Sequence, residues 1–281
     1  VLVFVLQSAS AIFTPAFQSL IPAVVPEARN YTRALSLSRL AYDLEALLSP
    51  TIAAVLLTVV SYDNLFVGTA IGFAGSAALV LATALPPHPS VRDSSTFWQR
   101  LPAGALVFFR TPSLRFLLFT NVVVAAGTAI ILVNSVVYAK GIFELDDTAL
   151  AIALGTYGVG SLIVAVNVPR LVDRIGVTRA MLSGTVLVVG GLTAAIVVTV
   201  FAVTTSTGWW ALLATWLILG IGTSLISTPS SRLLADASTP ANRNLVYTAQ
   251  FALSHACFLV TYPLAGWMGA ISLPIATDAL A

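Results

Sequence analysis

The sequence predicts an all-α integral membrane protein, a bundle of about eight transmembrane helices with a partial ninth. Three observations carry this. Of 281 residues, 58% are hydrophobic and 9% charged, against roughly 25% charged in a soluble domain, so the chain could not cover a water-facing surface. The apolar residues fall in runs of about 20, the length that crosses a bilayer as a helix. The basic residues gather in alternate gaps between those runs, the pattern left when one side of a membrane retains positive charge.

The expected spans are residues 1–21, 33–60, 65–85, 114–139, 149–168, 180–203, 209–230 and 245–267, with a stub at 269–281. None shows the short alternating strands of a membrane barrel. The odd-numbered gaps hold or border Arg29, Arg33, Arg39, Arg92, Arg100, Arg110, Arg115, Arg170, Arg174, Arg179, Arg232 and Arg243, which makes 12 of the 13 basic residues. The even gaps hold Lys140 alone, followed by Glu144, Asp146 and Asp147. The odd gaps are therefore placed in the cytoplasm. The longest gap, 86–113, opens "PPHPS" and continues "STFWQRLPAGALVFFR". Phe97, Trp98, Arg100 and Leu101 there suggest a short interfacial helix; the alternative is a linker with stray aromatics.

Composition also excludes several functions. The net charge of +2 is too small to suggest a nucleic-acid partner. Cys257 is the one cysteine, so no disulfide forms within the chain. No metal-ligand spacing or glycine-rich phosphate loop is present, and neither a metal nor a cofactor is expected.

Two segments repeat. "TPAFQSLIPAVVPEARN" (14–30) and "TPSSRLLADASTPANRN" (228–244) match at Thr14-Pro15 with Thr228-Pro229, Pro26 with Pro240, and Arg29-Asn30 with Arg243-Asn244, all at one offset. Pro50 and Pro263 continue the match with one residue gapped. Both copies fall at cytoplasmic gaps, so the halves are parallel, related by an axis along the membrane normal. By this symmetry roughly 100 residues, three helices, are expected ahead of the first span. The chain opens on Val inside an apolar run, and its last segment is short, so both ends are expected to be cut.

The stretch "PRLVDRIGVTR" resembles the G-x-L-x-D-R-x-G-R-R signature of the major facilitator superfamily through Leu171, Asp173, Arg174, Gly176 and Arg179. It departs at Pro169 and Val177. "LPAGALVFFRTPSLRFLL" is similar to the lead-in of the enterobactin and macrolide exporter-like branch. The resemblance implies a 6+6 helical bundle in the cell membrane, expected as a monomer. The spans would be the fourth to eleventh helices. Residues 1–85 would be the remainder of the N-terminal bundle, 86–113 the central cytoplasmic loop and 114–281 the C-terminal bundle. It also implies alternating access and a proton partner. Gln7, Gln18, Asn121, Asn134, Thr223 and Ser227 become cavity-lining candidates. Asp173, Arg174 and Gly176 become a cytoplasmic latch, with the Asp173 carboxylate facing residues 29–33.

The second span carries three charges, Arg39, Asp43 and Glu45. A mid-membrane charge costs about 2.5–3.5 kcal/mol on insertion scales, so it faces protein or water. Arg39 and Asp43, four apart, share a helix face and can pair. Glu45 points elsewhere, on a face with Ser38, Tyr42 and Ser49. A buried carboxyl without a cation tends to hold its proton, which suits either proton coupling or a neutral, hydrogen-bonded Glu. His255, at comparable depth in the eighth span, is a proton partner or a packed polar residue. A metal pair with Cys257 is disfavoured, because residues two apart do not share a helix face.

The leading functional expectation is proton-coupled export of a small organic molecule. A membrane-embedded enzyme is the alternative from another class, although no loop combines a nucleophile with a base. A non-transporting remnant is the third.

Overall fold

The computed structural model describes residues 2–25, 27, 30–31, 33–34, 36–38, 41, 56, 59–83, 97–201, 206–239 and 241–271. Regular structure there is helical throughout. In chain order the helices are α1 (Leu2–Val24), α2 (Tyr62–Ala82), α3 (Phe97–Arg110), α4 (Pro112–Ala129), α5 (Asp147–Ile175), α6 (Val177–Phe201), α7 (Ser206–Asp236) and α8 (Arg243–Ile271). Among the described residues, five stretches are long and apolar enough to cross a membrane: Pro112–Asn134, Asp147–Ile175, Val177–Val200, Thr207–Asp236 and Arg243–Trp267. They fall on the fourth to eighth expected spans, and α1 and α2 fall on the first and third. Most of the second expected span, with Arg39, Asp43 and Glu45, lies outside the described residues, as does most of the stub.

Helix is the form that lipid imposes, because each backbone N–H and C=O must find a partner within the segment. Helix ends, however, are not set by apolarity. α5 continues to Ile175 and α7 to Asp236, past the first charges at Arg170 and Arg232. Long basic side chains lay their stems along apolar surface while the charge reaches the headgroups. This corrects one expectation: the "PRLVDRIGVTR" stretch is not a loop. Asp173 and Arg174 lie in the last turn of α5, and Gly176 alone separates α5 from α6. Its φ of 84° is open to glycine without a Cβ clash, and its N–H closes the helix on Val172 O at 2.9 Å.

Consecutive spans reverse direction. Arg110, Arg115, Arg170, Arg174, Arg179, Arg232 and Arg243 therefore share one end of the bundle. Lys140 sits at the other, 2.6 Å from the Asp147 carboxylate. In the central segment α3 is a helix, not a linker. It docks on α8 where Gly104 comes up against Ala249.

α7 runs through the middle of the C-terminal bundle, between α5 and α6. Two glycines let it pass close to both. A Cβ on Gly220 would strike the Tyr157 carbonyl of α5, and one on Gly222 would stand 3.0 Å from the Gly184 carbonyl oxygen of α6. Small residues at such crossings let helix backbones pack closely in lipid. Trp216, Leu212, Leu219, Leu192, Val188 and Met181 fill the core around this crossing. α4 packs on α7 and α8, and α1 packs on α8. α2 shows exposed apolar side chains, Phe66, Ile71, Phe73 and Leu81 among them, a surface suited to lipid.

Beyond Ala129 the α4 helix widens. Ile130–Asn134 and Val137–Ile142 are π-helical, and the Phe143 N–H reaches Tyr138 O at 3.0 Å. Such wide turns are uncommon and concentrate at functional sites.

Candidate functional site

A buried polar group in lipid is costly unless it is hydrogen-bonded, so the polar side chains inside the bundle form a seam of bonded pairs between its helices. Three come from the widened part of α4, and each reaches a different neighbour. Asn134, 1% exposed, donates through Nδ2 to Ala265 O of α8 at 3.3 Å. Ser135 Oγ accepts from Trp216 Nε1 of α7 at 2.7 Å. Tyr138 OH lies 2.6 Å from Thr199 Oγ1 of α6. Thr199 already donates to Ala195 O, so the Tyr138 phenol is the donor.

Nearer the Arg-rich end the seam joins α4 to α8. Asn121 and Gln250 form a reciprocal amide pair, Nδ2 to Oε1 at 3.0 Å and Nε2 to Oδ1 at 3.1 Å. Thr261 Oγ1 donates to Ala125 O at 3.2 Å. On the α5 side, Tyr157 OH stands 3.1 Å from Thr223 Oγ1. Thr223 donates to Leu219 O at 2.9 Å, so Tyr157 again supplies the proton. Ser224 Oγ donates to Ser161 O at 3.2 Å. Each of these partners is uncharged. The described charged side chains of 97–271 sit in connections or within two turns of a helix end.

The expected site residues therefore separate. Asn121, Asn134 and Thr223 belong to this seam. Ser227 is half-buried on α7, and its carbonyl accepts from Ser230 Oγ at 2.6 Å. Gln18 is half-buried on α1, and the Gln7 side chain lies outside the described residues, as do Arg39, Asp43 and Glu45. His255 is exposed and stacks on Phe251 with ring centroids 4.0 Å apart. Its Nδ1 is 2.8 Å from Phe251 O. A carbonyl can only accept, so Nδ1 carries the hydrogen and Nε2 is the acceptor nitrogen of the neutral ring. Among the described residues, no group of three or more His, Cys, Asp and Glu could hold a metal. Asp173 and Arg174 are exposed at the Arg-rich end. Of the segment expected opposite Asp173, Arg29 lies outside the described residues, and the Asn30 amide turns to the Glu27 carboxylate at 2.6 Å.

A contact between distant parts of the chain lies at that end. Tyr31 OH donates to Ser231 O of α7 at 2.9 Å. Tyr247 OH of α8 reaches the same carbonyl at 3.2 Å, and the two hydroxyls are 3.0 Å apart. Both rings are buried, 3% and 1% exposed.

Sequence reasoning missed Gln250, Tyr157, Tyr31 and Tyr247. Gln250 carries the same signal as Asn121, an amide inside an apolar span, but it stands on a helix that was not expected to line the cavity. The tyrosines read as apolar.

Comparison with known proteins gives one family. The model of the Major Facilitator Superfamily matches residues 1–192 and, separately, 117–276. The overlap of the two matches fits a chain whose halves resemble each other. No curated protein matches the sequence.

Proposed function

Because the chain belongs to the Major Facilitator Superfamily, a family of membrane transporters, we propose that it exports a small organic molecule by alternating access, coupled to protons. The observation that carries this reading is the uncharged seam through the C-terminal bundle, Asn121–Gln250, Asn134–Ala265 and Tyr157–Thr223. Neutral amides and hydroxyls can exchange partners with a passing solute without stranding a buried charge. Coupling then needs a titratable group elsewhere. Glu45 is the strongest candidate, an acid deep in an apolar span with uncharged Ser38, Tyr42 and Ser49 on its face. In general an apolar surrounding favours the neutral form of a carboxyl and water the charged one, which is the alternation coupling needs. Arg39 and Asp43, four residues apart, are spaced to neutralise each other, and His255 is the second proton candidate. The similarity of 101–118 to exporters such as those for macrolides supports the export reading and suggests the first solute to try.

The test uses the full chain in inside-out vesicles with an acid interior, following uptake of a radiolabelled macrolide. Glu45→Gln should lose the acceleration given by the pH gradient and retain macrolide–macrolide exchange. Wild-type, gradient-driven uptake in Glu45→Gln would contradict the role of Glu45. Asp43→Asn should instead lower the yield of folded protein, since it removes the carboxylate expected to partner Arg39 within an apolar span.

A further inference from the structure

We propose that Tyr31 is a strap that holds the Arg-rich end of the transporter closed, by inserting its hydroxyl into a hydrogen-bonded site the C-terminal bundle keeps ready for it. The inference rests on the alternating-access reading and adds a specific closing residue to it.

Tyr31, Tyr247 and the Ser231 carbonyl form a triangle with sides of 2.9, 3.2 and 3.0 Å. Two hydroxyl protons serve three short contacts, so two sides are bonded at any moment and rotation of the hydroxyls exchanges them. The triangle is not symmetric in what opening does to it. Tyr247 and Ser231 are 16 residues apart, on the adjoining ends of α8 and α7, and their contact survives when the two parts of the chain separate. Tyr31 lies 200 residues from Ser231 and loses both partners on leaving. The C-terminal bundle therefore keeps a hydrogen bond at Ser231 with Tyr31 in or out, and within the triangle the bonding lost on opening is that of Tyr31 alone.

That energy is suitably small. A neutral hydrogen bond is worth little net, because water replaces the lost partner once the group is exposed. The burial of the Tyr31 ring, 3% exposed, adds a non-directional share that a phenylalanine would keep. Removing the hydroxyl alone should thus raise the open-to-closed ratio about 2- to 10-fold without unfolding the protein.

The experiment uses the full chain with Cys257→Ser and a reporter at Ser227→Cys, one helical turn deeper than Ser231 on α7. Alkylation by N-ethylmaleimide added at the Arg-rich face reads opening of that end and needs no solute. Tyr31→Phe should speed alkylation about 2- to 10-fold, with the thermal midpoint of the protein unchanged. Tyr247→Phe, which leaves the Tyr31–Ser231 bond in place, should speed it less. The proposal is overturned if Tyr31→Phe leaves the rate unchanged, or changes it no more than Tyr247→Phe does. Because the rate is read without transport, that outcome would leave the exporter reading to stand or fall on its flux assay.

Discussion

Gly220→Ala should cost far more than the one methyl it adds. The new Cβ would lie inside van der Waals contact of the Tyr157 carbonyl oxygen, 3.0 Å from the carbonyl carbon and 3.2 Å from Ser161 N. Ordinary contact begins at 3.4 Å, so the carbon alone demands that α5 and α7 part by about 0.4 Å, and the oxygen demands more. The obstacle is backbone, with no side chain to swing aside. α6 cannot absorb the shift either, because Gly184 and Gly222 already bring it close to the other flank of α7. Overpacking of this kind costs about 1–3 kcal/mol. At roughly 2–4 °C per kcal/mol for a domain of this size, the thermal midpoint in nanodiscs should fall by several degrees. Gly190→Ala is the control. Nothing lies within 4 Å of its added Cβ, and alanine is the better helix former, so its midpoint should hold or rise slightly. Equal midpoints for the two variants would refute the close α5–α7 crossing.

Two further outcomes follow from the geometry. A double-mutant cycle on Asn121→Ala and Gln250→Ala, read by unfolding in mixed micelles, should give a coupling of about 0.6 kcal/mol, the average for hydrogen bonds between membrane helices, and no more than about 1.7 kcal/mol; strict additivity would contradict the amide pair. Asp146 caps α5 by accepting from Ala149 N at 3.0 Å, and that bond holds its carboxyl below the ordinary 3.8. A lowered folded pKa stabilises above the unfolded value, and the stabilisation disappears as pH falls through the folded pKa. The midpoint difference between wild type and Asp146→Asn, itself a competent cap, should therefore be flat from neutral pH to about pH 4–5 and shrink or reverse below it.

The spans were legible in the sequence because lipid leaves the backbone one economical form, and an apolar run of the right length then suffices. Their ends were not. Apolarity stops at Arg170 and Arg232, while the helix requires only continued i to i+4 bonding and side chains long enough to reach the headgroups. The repeat of Thr14-Pro15 in Thr228-Pro229 is what suggests the two-part plan. Asn121 and Thr223 could be picked out because a polar side chain inside an apolar run must have a reason to be there. Their partners depend on which helices meet, and Gln250 stood on α8, from which no cavity-lining candidate was drawn. Nothing in "IILVNSVVYAK" marks the wide turns at Ile130–Asn134 and Val137–Ile142; backbone pitch there answers to Asn134, Ser135 and Tyr138 bonding in three directions. Tyr31 and Tyr247 are 216 positions apart, and only the fold brings their hydroxyls to one carbonyl.

The central claim is that the two parts of the chain rock so that one end opens as the other closes. Spin-label distances in the full chain test it most directly. One pair, at Leu37 and Arg179, reports the Arg-rich end; the other, at Asn64 and Leu145, reports the opposite end, and all four positions are exposed. Across a pH series in nanodiscs, the two distance distributions should shift in opposite directions, with the Leu37–Arg179 distance growing as the Asn64–Leu145 distance shrinks. Two distributions that stay fixed under every condition, or that widen together, would contradict alternating access in this protein.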